Sequence, residues 1–245
     1  MSNKESVTAS EIERTLRIFH EPGDVVEIRF LEVSGRGRPY TIAGCFDDFA
    51  KAAAEVARWE TGDPRFAGVY HVLNVVNPAL LARSNNQLES YPKATTTDHD
   101  ILRRRWLYID LDPRRPSGIS SSDAELKNTI EASNFAVEVG KQLGFYEPII
   151  SMSGNGCHVM YPIDFPNNSE SDQLVARLLG HFSDNVTREF PNVLVDQSVK
   201  NAARIARLYG TTARKGKDMP DRPHRRSHLL YVPDYLEPES LCQTA

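Results

Sequence analysis

Cysteine is scarce in this chain. Its 245 residues include three, Cys45, Cys157 and Cys242, far apart and without a Cys-x-x-Cys pair. That argues against a disulfide frame or a cysteine zinc site and suits the reducing cytoplasm. Long hydrophobic runs are missing too, which excludes a membrane-spanning helix. The N-terminus, Met-Ser-Asn-Lys-Glu-Ser, is too polar for a secretory signal. No repeats or low-complexity tracts stand out. An excess of positive charge is also absent, the net charge being −4. That average conceals an asymmetry. Between Lys200 and His228 nine Lys/Arg face two Asp, a local balance of +7 that leaves −11 on the rest. A basic segment on an acidic body suggests an anion site for phosphate or nucleic acid. The segment is interleaved with Ile205, Leu208, Tyr209 and Gly210, which a solvated tail would not need.

What remains is ordinary: 40% hydrophobic and 25% charged residues, enough for one large or two small domains. Ser10 with Glu13 three residues on is a capping-box pattern that predicts a helix start. Val26, Ile28 and Phe30 alternate with polar residues as a half-buried strand. A loop at 34–39 with a basic tip joins it to a second strand, Tyr40 to Cys45. Asp47 is placed to cap a helix reaching Trp59, and Gly68 to Val75 reads as a strand. Asn77-Pro78 opens a short helix. Residues 84–99, polar and uneven, read as a flexible surface loop. Ser121 or Ser122 caps a helix over 124–143. Strands at 148–152 and 157–163 flank a turn, residues 169–189 form an amphipathic helix, and 193–195 is a short strand. A helix is predicted over 199–208 and a last strand over 227–232. Strands and helices mix throughout, so the class is α+β or mixed α/β.

The chain is organised around Trp106 to Pro113, Trp-Leu-Tyr-Ile-Asp-Leu-Asp-Pro. Residues i and i+2 of a strand share a face. Asp110 and Asp112 therefore point the same way, with Ile109 and Leu111 in the core. Two adjacent carboxylates repel, and a divalent cation between them removes the cost. Oxygen donors select Mg²⁺ or Mn²⁺. The plainer alternative leaves both Asp in a solvated turn. Asp196 ends another apolar strand: alone it is a helix cap, and beside the pair it completes a two-metal site of the kind that supports phosphoryl transfer.

Ser153-Gly154-Asn155-Gly156-Cys157-His158 lies between two strands. Asn-Gly is a strong turn signal, and successive amides in such a turn can form an anion nest, with Ser153 adding a hydroxyl. His158 is either structural or in contact with what the nest holds. Lys200, Arg204 and Arg207 stand at helical spacing. The loop Gly210 to Gly216 offers Arg214 and Lys215 to phosphates. Of Arg103, Arg104 and Arg105, at least one faces solvent or phosphate.

Three motifs in this order resemble the archaeo-eukaryotic primase superfamily, more narrowly the primase-polymerase domains of phages, plasmids and other mobile elements. They are Tyr-Ile-Asp110-Leu-Asp112-Pro, Ser153-Gly-Asn-Gly-Cys-His158 and Val-Leu-Val-Asp196. The downstream Asn201-Ala-Ala-Arg204-Ile-Ala-Arg207-Leu-Tyr-Gly-Thr211, Lys215-Gly216 and Arg222-Pro-His-Arg225-Arg226 are also similar to that branch. The resemblance covers about residues 65–232. It implies an RNA-recognition-motif-like catalytic sheet (101–235) beside an N-terminal αβ module (1–100), with the site in the cleft between them. It implies a DNA primase or template-dependent polymerase that joins nucleotides and releases pyrophosphate. Asp110, Asp112 and Asp196 would hold two Mg²⁺ or Mn²⁺. Ser153, Gly154, Asn155, Gly156 and His158 would hold the incoming nucleoside triphosphate, neutralised by Arg204, Lys215 and Arg225. Arg103, Arg104, Arg105, Lys200, Arg207 and Arg214 would meet single-stranded template and primer DNA. Where some relatives have Ser two residues before the His, this chain has Gly156, which leaves the replacing donor open. Such domains are often followed by a helicase or other module, so the end at Leu241-Cys-Gln-Thr-Ala raises the expectation of a fragment. Two other readings remain. One is a metal-dependent nuclease or replication-initiation endonuclease, although a relaxase would want a second His where Met160 stands. The other is an inactive nucleotide- or DNA-binding module.

Overall fold

The computed structural model describes residues 3–35, 37–62, 64–236 and 238; Arg36 at the first hairpin's tip, Cys242 and the chain end from Leu241 lie outside the described residues. Helix α1 (Asn3–Phe19) buries Ile12, Leu16 and Phe19. It starts well before Ser10, so Ser10 is inside the helix and not its cap. Glu13 instead pairs with Arg17 one turn on, at 2.6 Å. Strands β1 (Val26–Val33) and β2 (Tyr40–Phe46) form the expected hairpin. Helix α2 (Phe49–Thr61) is capped by Asp48, which accepts from the Lys51 amide at 2.9 Å; the cap falls one residue after Asp47. Both helices and the hairpin share one apolar core.

Next come β3 (Gly68–Val72), β4 (Val75–Val76), a 3-10 turn (Pro78–Arg83), β5 (Glu89–Ser90) and the long β6 (Ile101–Pro113). Helix α3 (Asp123–Gln142) begins at a capping box in which Ser122 and Glu125 satisfy each other's amides. Strands β7 (Ile149–Met152) and β8 (Cys157–Pro166), helix α4 (Ser169–Glu189) and β9 (Val193–Val195) follow. The remaining strands are β10 (Ile205–Arg207), β11 (Thr212–Ala213), β12 (Arg225–Arg226) and β13 (His228–Tyr231).

Two large antiparallel sheets and a two-stranded β11–β12 ribbon result, an α+β architecture. One has the order β10-β3-β1-β2-β5, the other β13-β7-β8-β6-β4, with β9 paired to β6. The boundary near residue 100 is crossed twice. Strand β4 joins the second sheet, and β10 closes the edge of the first. That closure overturns the helix predicted over 199–208. Gln197–Lys200 forms a 3-10 turn, and Ile205–Arg207 pairs with Tyr70–Val72. An unpaired edge of β3 outweighs helical propensity there.

The segment 84–99 is likewise held down. Glu27 is buried, and its carboxylate accepts from the Thr96 amide and hydroxyl at 2.7 and 2.8 Å. Arg29 pairs with Glu27 and donates to the Thr96 carbonyl at 2.8 Å. A buried carboxylate requires such partners, and this loop supplies them.

Arg104, expected at a DNA-facing surface, is turned inward instead. It is 3% exposed, donates to the Lys200 carbonyl at 2.7 Å and pairs with Asp172. It braces α4 and the 197–200 turn against β6, so its guanidinium is spent inside the fold. Arg104→Met should lower unfolding free energy by about 2–4 kcal/mol, since it strands a carbonyl and removes a buried charge's contacts. Urea unfolding measures this; a change under about 0.5 kcal/mol, typical of a surface site, would contradict the bracing role.

Candidate active site between the two sheets

Strand β6 carries Asp110 and Asp112 on one face while Ile109 and Leu111 are fully buried behind them. Two neighbouring strands bring in the other motifs by register. On one side β9 pairs Leu111 with Val195, so Asp196 falls opposite Asp110. The Asp196 amide donates to the Asp110 carbonyl at 2.9 Å. On the other side β8 pairs Asp110 directly with His158.

A cavity of about 400 Å³ lies over this point. Strand β1 contributes Leu31 and Glu32, β3 and the residue before it Tyr70 and Ala67; β6 contributes Asp110 and Asp112, the 153–156 turn Ser153 and Asn155, and β8 His158. Arg204, Arg207 and Lys215 add positive charge, and Arg115 lies beside Asp112 at 3.4 Å. Grooves of about 530 and 540 Å³ exist elsewhere, but neither is lined by Asp110, Asp112 or Asp196. The converging carboxylates and cations, and not volume, single out the smaller cavity.

Burial pushes the Asp110 carboxyl up to about 7; the charge of Asp112 adds to this, Asp196 adds less, and Arg204 opposes it. Such a group keeps its proton in the folded chain but loses it from pH 3.8 in the unfolded chain. Metal-free stability therefore falls as pH rises through that window, and the penalty is constant above it. At pH 7.5 Asp110→Asn should unfold at higher urea than wild type, by about 1–3 kcal/mol, with the difference vanishing near pH 4. Equal stability at both pH values would mean that neither burial nor repulsion raises the Asp110 carboxyl.

Asp196 serves two ends. Its carboxylate caps the 3-10 turn through the Ser198 amide at 2.8 Å and lies 3.6 Å from Arg204. The side chain is not part of the cavity wall, although its backbone adjoins Asp110. Among the described residues no three of His, Cys, Asp and Glu are grouped as a formed metal centre. The donor chemistry nevertheless fits a hard divalent cation: oxygen ligands only, with one carboxyl whose pKa is raised by burial first and by its neighbours' charge second.

The turn departs from the expected anion nest. The Gly156 amide donates to Ser153 Oγ at 3.0 Å, and the Gly154 amide is spent on Met152 Sδ at 2.8 Å. Both glycine donors are used inside the turn; the Ser153 hydroxyl proton and the Asn155 side-chain amide are left for a ligand. Asn155 Oδ1 in turn accepts from the Ser121 amide at 2.9 Å. Gly154 does not line the cavity; with φ at +104° it packs on Ala213. The hydroxyl missing at Gly156 is explained by space, because a Cβ there would lie 2.2 Å from the Leu111 carbonyl oxygen and 2.7 Å from Asp112 Oδ1.

His158 is buried at the cavity floor with both ring nitrogens occupied. Nε2 meets the Tyr108 hydroxyl at 2.9 Å and Nδ1 the Tyr209 hydroxyl at 2.6 Å. Burial, then Arg207 and Arg204, push its pKa down to about 3. It is a neutral imidazole, 3.5 Å from Asp110 Oδ1, and not a cation for a triphosphate.

The basic residues scatter. Arg103 pairs with Asp164 at 2.5 Å, and Arg105 pairs with Asp24; both line a separate groove beside Trp106. Arg214 is engaged by both oxygens of Glu60, at 2.6 and 3.1 Å. Arg225 holds the Ser121 carbonyl at 2.8 Å and Asp123 at 2.6 Å, outside the cavity wall. Lys200 is exposed on its turn. Arg207 enters the cavity. Sequence reasoning missed Tyr70, Tyr108, Tyr209 and Arg115. Only Tyr108 had a signal, sharing the face of Asp110 by the i, i+2 rule.

No protein-family model matches the chain, and no curated protein does. Among solved structures it is similar to the crystal structure of primase RepB′, at 13% identity and a TM-score of 0.50, over 91% of this chain and 56% of that one. The catalytic domain of primase RepB′ in complex with initiator DNA matches at 13% identity, TM-score 0.47, over 91% and 84%. The chain thus spans little more than half the length of primase RepB′. No helix among the described residues is long and apolar enough to cross a membrane. The likeness is one of fold: an α+β chain of two antiparallel sheets, similar to primase RepB′, with a carboxylate-bearing strand facing the cleft.

Proposed function

We propose that the chain is a primase-type nucleotidyltransferase that extends DNA on a single-stranded template. The observation that carries this reading is the register of three strands. It sets Asp110 beside Asp196, the residue just after β9, and His158 on β8, in a cleft faced by Arg204, Arg207 and Lys215. Asp110, Asp112 and Asp196 would hold Mg²⁺ or Mn²⁺, which when bound supplies positive charge to the carboxylates and to the phosphates. Ser153 and Asn155 offer a hydroxyl and an amide to the nucleotide, and Lys215 at the rim offers a point charge. The neutral His158, fixed by two tyrosines, lies 3.5 Å from Asp110 without a positive charge that would compete with a cation for the carboxylate. In the reaction the primer's 3′-oxygen bonds to the α-phosphorus, the bond to the β-phosphate breaks, and pyrophosphate leaves.

Labelled primer on a single-stranded template with nucleotides and Mg²⁺ or Mn²⁺ tests this. Lengthened primer supports the proposal. Shortened DNA indicates a nuclease, and bound nucleotide without a change in length indicates a binding module. A lane without primer separates a primase from an extending polymerase.

A further inference from the structure

Arg207 is 8% exposed, and its charge has no acidic partner: no ion pair among the described residues includes it. Its Nη2 donates to the Tyr70 hydroxyl at 2.9 Å, while the guanidinium lies over the Tyr70 ring, 4.3 Å from the centroid. Nε and Nη1 are buried without any hydrogen-bond partner. Arginine cannot shed its proton to escape this situation, and a buried unpaired charge costs several kcal/mol on the order of a lost ion pair. Something must compensate it.

The backbone is arranged to keep the group there. Arg207 on β10 sits opposite Tyr70 on β3, and Gly68 shares the face of Tyr70 two residues earlier. A Cβ on Gly68 would lie 1.8 Å from Arg207 Nη1 and 2.8 Å from its Cζ. Glycine therefore makes the bed on which the guanidinium lies flat, and tyrosine holds it from the ring face. Arg207 lines the same cavity as Asp110, Asp112 and Lys215.

We propose that Arg207 is a built phosphate site for the incoming nucleoside triphosphate, with Tyr70 and Gly68 as its positioning residues. This rests on the nucleotidyltransferase reading and deepens it: the compensating charge arrives with the substrate. It moves Arg207 from the DNA-contact set to the nucleotide. The phosphate of a DNA backbone shares the chemistry, so the test needs both probes.

The test is calorimetric or fluorescence binding of dATP with Mg²⁺, of inorganic tripolyphosphate, and of a single-stranded oligonucleotide. It compares wild type, Arg207→Gln, Arg207→Lys and Tyr70→Phe. Arg207→Gln should weaken dATP and tripolyphosphate by about tenfold or more, and Arg207→Lys should recover part of that, because charge returns without the planar fork. Tyr70→Phe keeps the ring and loses the hydroxyl, so about threefold weakening is expected with melting temperature preserved. Oligonucleotide binding should stay within about twofold throughout. If wild type binds the phosphates and Arg207→Gln and Tyr70→Phe bind them equally well, the inference is overturned while the enzyme reading stands. Loss of oligonucleotide binding with dATP binding intact would assign Arg207 to DNA and also overturn it. If wild type binds neither dATP nor tripolyphosphate, the enzyme reading itself fails.

Discussion

Replacing Asp110 and Asp112 together by alanine should remove nucleotide addition, by about a thousandfold or more, and leave the protein folded. Two of the three candidate carboxylates disappear, both from one face of β6, and charge neutralisation at a phosphoryl group is worth several kcal/mol. Folding responds in the opposite direction. Burial and Asp112 already hold the Asp110 carboxyl up near 7, so the wild-type pair destabilises the metal-free chain. Their removal relieves repulsion while Ile109 and Leu111, which supply the core contacts, are untouched. Thermal melting without metal should therefore be equal or higher in the double variant, while added Mn²⁺ should raise the melting temperature of wild type only. An inactive variant that also unfolds would leave the carboxylates as structural groups.

Gly156→Ala should damage the site nearly as much by a different route. No special backbone angle is required at Gly156, which is absent from the positive-φ set; the constraint is space. The added methyl would sit 2.2 Å from the Leu111 carbonyl oxygen, which is backbone and cannot swing away. Either the β6–β8 ladder opens at its end or Asp112 Oδ1, 2.7 Å from the same point, is displaced. Overpacking of this kind costs about 1–3 kcal/mol. A displacement near 1 Å at reacting groups costs roughly a hundredfold in rate. Primer extension and urea unfolding of the same variant separate the two. Wild-type rates would mean that neither Gly156 nor Asp112 is held at the reacting centre.

Much of this arrangement could be read from the chain because its signals are local. The carboxylate strand, the turn at 153–156, the short strand before Asp196 and the helix at 169–189 all follow from alternation, Asn-Gly chemistry or helical spacing. The capping box at Ser122 and Glu125 is local as well. What was not legible depends on distant partners. Residues 199–208 carry helical spacing, yet β3 offers an open edge and Ile205–Arg207 takes it. That one event carries Arg207 from a supposed helix face into the cavity against Tyr70. Arg104 looks like its neighbours in sequence, but β6 turns it inward to the Lys200 carbonyl. Thr96 and Glu27 find each other across 69 positions, and Tyr209 reaches His158 from beyond the third motif. No local pattern encodes these pairings; the closing of two sheets around one cleft creates them.

The most direct test of the central claim follows the phosphorus. A primed single-stranded template is incubated with the wild-type protein, Mn²⁺ and a deoxynucleotide labelled at either the α- or the γ-phosphate. A two-carboxylate nucleotidyltransferase puts α-label into a lengthened primer and releases γ-label as pyrophosphate, both only while Asp110 and Asp112 are present. Release of γ-label as inorganic phosphate without primer growth, or shortening of the primer, would contradict that claim.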